Sequence, residues 1–218
     1  DWQPPATPEL TVAPRETLTM ASFAAARGKE AALREAIRAG YGAELPDHAA
    51  RVTGVGISFV WAGPDQWLAI AERENGRDLE TELKALLTGI ASVVDQSDGR
   101  VVVRISGPRA RDVLAKGVPI DLHPRAFKPG NVAITHASHI GVILWQTDDA
   151  PTYEAALFRS YADSFAHWLF ESAAEYASHK PLLRYRRRNG MSGRIGIRVG
   201  EALVAGGPPG TAAEPEVA

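Results

Sequence analysis

The apolar residues of this chain follow one order of periods twice, and this repeat constrains the fold more than any other sequence feature. Each copy starts with strand-like alternation, continues with a helical stripe, passes through a pair of apolar runs and ends in a second helical stripe. Each pair of runs places a tryptophan near its turn, Trp61 in the first copy and Trp145 in the second. The pattern is typical of a degenerate internal duplication.

The first copy begins where Leu18 and Met20 alternate with two threonines, which predicts a strand over 16–23. Asp78 has the side chain of a helix N-cap. The remaining predicted elements of this copy are a helix over 29–41, a hairpin with strands over 56–61 and 66–71, a helix over 79–90 and a short strand over 92–95.

The second copy begins at the predicted strand 100–105, and Ser106-Gly107-Pro108 opens the next helix. Gly117 stands where a glycine usually follows a helix. The other predicted elements are strands over 131–135, 141–145 and 152–158 and a helix over 161–176, with Tyr161 on its apolar stripe.

Two such units predict an α+β protein of two ferredoxin-like, split βαβ halves. Each half has an antiparallel sheet with helices on one face, and we expect the halves to share a core. The proline-rich residues 1–14 predict an extended N-terminal arm, and residues 15–178 the folded domain. Residues 179–218, first basic and then rich in Gly, Ala and Pro, predict a flexible tail.

Composition narrows the function. The chain has no cysteine, which excludes disulfides and thiolate chemistry and is compatible with the cytoplasm. No apolar run is long enough to span a membrane. From Lys180 onward there are seven Lys/Arg and three Asp/Glu, so 17 basic and 23 acidic residues remain in the first 179. An acidic body disfavours a nucleic-acid partner, because such binding depends on basic side chains that neutralise phosphates.

Two groups of residues invite a chemical interpretation. His136 and His139 have the spacing of metal ligands on a helix, but they lie between strand-like runs, where that spacing puts them on opposite faces. The carboxylates, serine and arginine of residues 95–100 have the composition of a proton-transfer site and also of a tight turn, and we favour the turn. No nucleotide-binding or nucleophile motif occurs.

Three stretches together resemble the gamma subunit of heterotetrameric sarcosine oxidase. They are Val60–Leu68, then Val94–Leu114 with Leu122–Phe127, and finally Tyr153–Asp163 with Trp168-Leu169. The likeness spans about residues 15–178. The Ser106-Gly107-Pro108 turn alone also resembles the wider aminomethyltransferase superfamily.

The resemblance implies a subunit of a cytoplasmic complex that converts sarcosine to glycine, with formation of peroxide and transfer of a one-carbon unit to tetrahydrofolate. It implies partners in the alpha, beta and delta subunits, which hold the FAD, FMN, NAD and zinc of the complex. No catalytic, cofactor-binding or metal-binding residue is carried over to this chain, which we expect to serve assembly.

The loop residues His123, Arg125 and Phe127 are the predicted partner interface, and packing in the core is the alternative for them. The alternative function is a folate-binding aminomethyl or methyl transferase acting alone.

Overall fold

The computed structural model describes residues 9–176 and 203–205. Within these residues the helices are α1 (Glu30–Tyr41), α2 (Leu79–Leu86), α3 (Ala110–Ala115) and α4 (Ala162–Ala173). The strands are β1 (Leu10–Pro14), β2 (Leu18–Ala25), β3 (Arg51–Gly54), β4 (Ile57–Gly63), β5 (Gln66–Glu72), β6 (Ala91–Asp95), β7 (Arg100–Ser106), β8 (Val132–Ala137), β9 (Ile140–Asp148), β10 (Thr152–Phe158) and β11 (Leu203–Ala205). Among residues 9–176 and 203–205, helix length and hydropathy give no candidate for a membrane-spanning helix.

The strands form two antiparallel sheets. Sheet 1 has the order β3-β4-β5-β2-β6, and sheet 2 has the order β11-β1-β7-β10-β9-β8. The pairs β2–β5 and β10–β7 form the centres of the two sheets, each with seven residue pairs in register. Both sheets thus contain the strand order expected for a four-stranded ferredoxin-like unit, to which sheet 1 adds the edge strand β3 and sheet 2 adds the edge strands β8 and β11.

The layers follow from where the apolar side chains point. One buried cluster joins the outer face of sheet 1 to α1 and α2, and a second joins the outer face of sheet 2 to α3 and α4. A third lies between the inner faces of the sheets, where Met20 and Ile70 of sheet 1 meet Ile143 and Trp145 of sheet 2. The protein is therefore a four-layer α-β-β-α sandwich, and the predicted α+β class with helices on one face of each sheet is confirmed.

Local sequence explains why the first half forms these elements. Leu33 and Ile37 are four apart and both are buried, so α1 lays one stripe on sheet 1. The Asp78 carboxylate accepts a hydrogen bond from the backbone N–H of Glu80 at 3.0 Å, which confirms the predicted cap of α2. The buried Thr19 hydroxyl of β2 accepts from the N–H of Leu79 and ties this cap to the sheet.

The N-terminal arm was predicted too long. Residues 10–14 form β1 inside sheet 2, with Leu10 and Val12 buried against the helices. β1 pairs with β7 as β6 pairs with β2, so the first strand of the chain completes the sheet of the second half. A strand whose partner is so distant in sequence leaves no local hairpin signal.

Three smaller predictions are also corrected. β3 was missed because Arg51-Val52-Thr53-Gly54 is too short and polar to show alternation. The predicted helix 79–90 ends at Leu86. Tyr161 lies in a 3₁₀ turn before α4 and is half exposed, not on the apolar stripe of that helix. The predicted tail 179–218 and residues 1–8 lie outside the described residues, apart from β11.

Candidate functional site

Because of the internal duplication, residue positions at one end of the layer between the sheets are equivalent to positions at the other end. Directly opposite residues of antiparallel strands share one face of a sheet. In sheet 1 the register places Ile70 opposite Ser58, and Ser58 opposite Thr53. In sheet 2 it places Ala156 opposite Ile143, and Ile143 opposite Ile134. Because β5 corresponds to β10, β4 to β9 and β3 to β8, these two rows occupy equivalent positions.

The next inward-facing position along the strand is also polar in sheet 1 and apolar in sheet 2. Two residues beyond Ile70 stands Glu72, and two residues beyond Ala156 stands Phe158. One end of the layer therefore presents serine, threonine and glutamate where the other end presents isoleucine and phenylalanine. We call them the charged end and the apolar end.

The charged end is held by an ion-pair network around Glu154, whose side chain is 6% exposed. Its carboxylate accepts from Arg15 at 2.5 Å, from Arg104 at 2.8 Å and from the Trp145 Nε1–H at 3.1 Å. Arg15 also pairs with Glu72 of sheet 1. Arg15 thus joins a carboxylate of each sheet, and the network fastens the sheets together at this end.

Arg51 lies beside that network, in a cavity of about 310 Å³. Its Nη2 donates to the Ser58 hydroxyl at 2.7 Å. Burial lowers the pKa of the Arg51 guanidinium, although the carboxylate of Glu154 acts in the opposite direction. The polar groups of this end are satisfied mainly by one another, as buried ions require.

The apolar end opens into a groove of about 550 Å³ between the two sheets. Six large apolar side chains are exposed among the described residues, and four of them line this groove. The four are Val94 (54% exposed), Ile134 (52%), Phe158 (50%) and Tyr161 (51%). Since a patch of this kind on a protein surface marks a contact site, the groove is the candidate functional site.

The groove continues the buried layer. Val132 is 5% exposed and Ala156 is fully buried, yet Ile134 and Phe158, two residues further along the same faces, are half exposed. The strands keep their inward apolar pattern, but the sheets diverge and the described residues do not cover these side chains. The sequence here is that of a core position, which fits a surface that becomes buried in an assembly.

The predicted interface residues do not lie together on one surface. Phe127 is 7% exposed and stacks on Tyr153 at 6.3 Å between ring centroids, so its side chain belongs to the core of the second half. This corrects its assignment to an interface and selects the packing alternative. His123 and Arg125 are exposed on the loop, where the N–H of Arg125 donates to His123 Nδ1. Their contact with a partner stays a prediction.

The two histidines with metal-ligand spacing and the polar segment 95–100 do not form a metal site or a proton-transfer site in the described residues. His136 lies in β8 and His139 in the turn that follows, both exposed, and no cluster of three or more metal-ligating side chains occurs within residues 9–176. Asp95 accepts from the N–H and the hydroxyl of Ser97, so the segment before β7 is a side-chain-stabilised turn.

Sequence patterns alone do not identify the groove residues as exposed. A usable signal was present, because Ile134 and Phe158 stand at inward positions of predicted strands. Alternation shows which side chains share a face and does not show where two sheets diverge.

The fold alone gives a structural class, the four-layer α-β-β-α sandwich. The sandwich is similar to the crystal structure of glycine cleavage system aminomethyltransferase T from Bartonella henselae, with a TM-score of 0.55 over 75% of this chain and 46% of that chain. At 13% identity this likeness shows the fold alone.

The family follows from closer matches. The model of the family described as sarcosine oxidase, gamma subunit, matches residues 25–175, and the chain belongs to that family. The sarcosine oxidase subunit gamma of Corynebacterium sp. strain P-1 is 39% identical over 69% of this chain and 72% of that protein. The corresponding subunit of Arthrobacter sp. is 38% identical over 66% and 70%.

A structural match supports the same family. A chain of heterotetrameric sarcosine oxidase from Corynebacterium sp. U-96, in complex with pyrrole 2-carboxylate, matches with a TM-score of 0.66 and 30% identity. The match covers 76% of this chain and 84% of that chain.

Proposed function

We propose that this chain is a non-catalytic assembly subunit of a heterotetrameric sarcosine oxidase and packs against a larger subunit through the groove. The observation that carries the proposal is the concentration of exposed apolar side chains at one end of the inter-sheet layer. The equivalent positions of the first half are polar, so the apolar end is a property of this site and not of the fold.

The complex we propose demethylates sarcosine to glycine in the cytoplasm, forms peroxide and passes a one-carbon unit to tetrahydrofolate. Its FAD, FMN, NAD and zinc would be held by the alpha, beta and delta partners. Family membership supports this assignment. The residues of this chain contribute a surface, and we assign none of them to the reaction.

Co-expression tests the assembly role. The chain is produced with an affinity-tagged large subunit and the remaining subunits of a sarcosine oxidase from the same genome. We expect it to be recovered with the tagged subunit in a constant ratio through size-exclusion chromatography. Recovery of an active complex that lacks this chain would contradict the proposal.

The isolated chain provides the second test. We expect it to be colourless and inactive towards sarcosine. Flavin absorbance in a folded sample, or turnover of sarcosine, would contradict the non-catalytic role. Micromolar binding of tetrahydrofolate by the isolated chain would instead support a transferase acting alone.

A further inference from the structure

The groove contains one arginine in an apolar setting. Arg100 begins β7, and its guanidinium centre lies 4.3 Å from the centroid of the Phe158 ring. Its Nε donates to Gln96 Oε1 at 3.1 Å. Within residues 9–176 no carboxylate forms an ion pair with it. Burial lowers the pKa of Arg100, as expected for a cation removed from water without a counterion.

The remaining polar side chains of the groove are uncharged or histidine. Ser22, Gln66, Ser92, Thr135 and His139 line it, and none of the described lining residues is aspartate or glutamate. This differs from the protein as a whole, which has more acidic than basic residues. The groove therefore combines exposed apolar area with a positive charge that has no acidic partner among the described residues.

We propose that the groove receives an apolar segment of a larger sarcosine oxidase subunit, and that an aspartate or glutamate of this segment pairs with Arg100. This inference rests on the proposed function and adds the chemistry of the occupant. The apolar rim requires apolar partner side chains, since water leaves both surfaces on contact. The cation requires a carboxylate, because a half-buried charge becomes more costly when docking removes its remaining water.

The charge of Arg100 also disfavours a second copy of this chain as the occupant of the groove. In a two-fold symmetric contact the same patch meets itself, and the described lining residues of the groove include no aspartate or glutamate that could pair with Arg100 of the other copy. A charge left unpaired in a dry interface opposes association. A partner with an acidic side chain satisfies the same geometry.

Substitutions test the apolar contact in the co-expressed complex. We expect Ile134→Asp and Val94→Asp each to lower recovery of the chain with the tagged large subunit by about 10-fold or more, because a charge is placed in a dry contact. Both side chains are half exposed, so the isolated chain stays folded, as its thermal unfolding would verify. Val55→Asp, at an 80% exposed valine outside the groove, is the matched control and keeps wild-type recovery.

Arg100→Met tests the ion pair, since methionine retains an unbranched apolar stem beside Phe158. We expect recovery to fall about 30-fold, the usual result of leaving a buried carboxylate unpaired, and Arg100→Lys to restore part of it. Arg27→Met, at an exposed arginine, is the control. If the wild-type chain assembles and all groove variants assemble equally well, this inference is wrong and the assembly role stands. If the wild-type chain does not assemble, the assembly role fails as well.

A photo-crosslinking residue identifies the occupant directly. Ile134→p-benzoylphenylalanine is placed in the assembled complex and irradiated, with the same residue at position 55 as control. We expect a cross-linked peptide from a partner subunit that is rich in apolar residues and contains Asp or Glu. Cross-links to residues 1–8 or 177–218 of this chain, to a second copy, or to a peptide without a carboxylate would overturn the proposal.

Discussion

The charged end and the apolar end occupy equivalent places in the two halves, yet they solve the same packing problem differently. At the charged end, Arg15 brings a carboxylate from each sheet into one network. At the apolar end the inward side chains stay apolar and half exposed. The difference shows that one copy of a duplicated unit can satisfy its open end internally while the other leaves apolar side chains half exposed, which we propose a partner covers.

The largest effect is expected when the charged end loses its central carboxylate. Glu154→Gln leaves Arg15 and Arg104 without the charge that they share, in a nearly buried site. Removing one member of a buried ion network costs about 3 kcal/mol or more of the free energy of unfolding. Chemical denaturation of the isolated chain measures this loss.

Glu35→Gln is the matched control for that experiment. Glu35 pairs with Arg38 on the exposed surface of α1, and removing such a pair costs at most about 0.5 kcal/mol. Equal losses for the two variants would show that the charged end does not fasten the sheets.

A smaller effect is expected when the charged end is given the residues of the apolar end. Thr53→Ile with Glu72→Phe leaves Arg15 its pair with Glu154, so we expect a loss of about 1 kcal/mol in stability. The new apolar patch should promote self-association, visible by sedimentation velocity at micromolar concentration.

The control places the same groups elsewhere. Thr88→Ile with Glu35→Phe adds equal apolar area at two exposed positions that are far apart in the sequence. We expect this variant to stay monomeric. If it associates as strongly as the first variant, apolar area alone and not its concentration at one end is responsible.

The smallest effect on folding is expected from the reverse exchange. Ile134→Thr with Phe158→Glu changes two half-exposed side chains, and the introduced carboxylate would stand opposite Arg100 in the β7–β10 register. Stability should change by less than about 0.5 kcal/mol. Fluorescence of a hydrophobic dye bound to the isolated chain should decrease, and a loss above about 2 kcal/mol would show that the apolar end supports the fold itself.

Local signals predicted much of the fold. The stripe of Leu33 and Ile37, the cap at Asp78 and the turn at residues 95–100 are encoded by neighbours in sequence, and the structure contains all three. Even so, one local signal was misread. Gly117 lacks the left-handed conformation of a helix-terminating glycine, and a Cβ there would lie 2.6 Å from the ring of Trp168, so close packing explains the glycine.

The candidate site was harder to predict for a physical reason. Its four exposed apolar residues come from β6, β8, β10 and the 3₁₀ turn before α4, which are brought together only when two sheets pack. Loop position and residue type suggested Phe127, but a loop side chain with a ring such as Tyr153 beneath it is buried as readily as one in a strand. Exposure depends on tertiary packing, which one-dimensional patterns do not contain.

The position of β1 in the sheet of the second half has a consequence for biosynthesis. β1 leaves the ribosome long before β7, and Thr11 has no partner until Ser106 has been made. The first half can complete its own sheet in the meantime, whereas the second half closes last and uses residues made first. Proteolytic or genetic separation of the halves between β6 and β7 should therefore yield a second fragment with an open sheet edge, which a β1 peptide supplied in trans would fill.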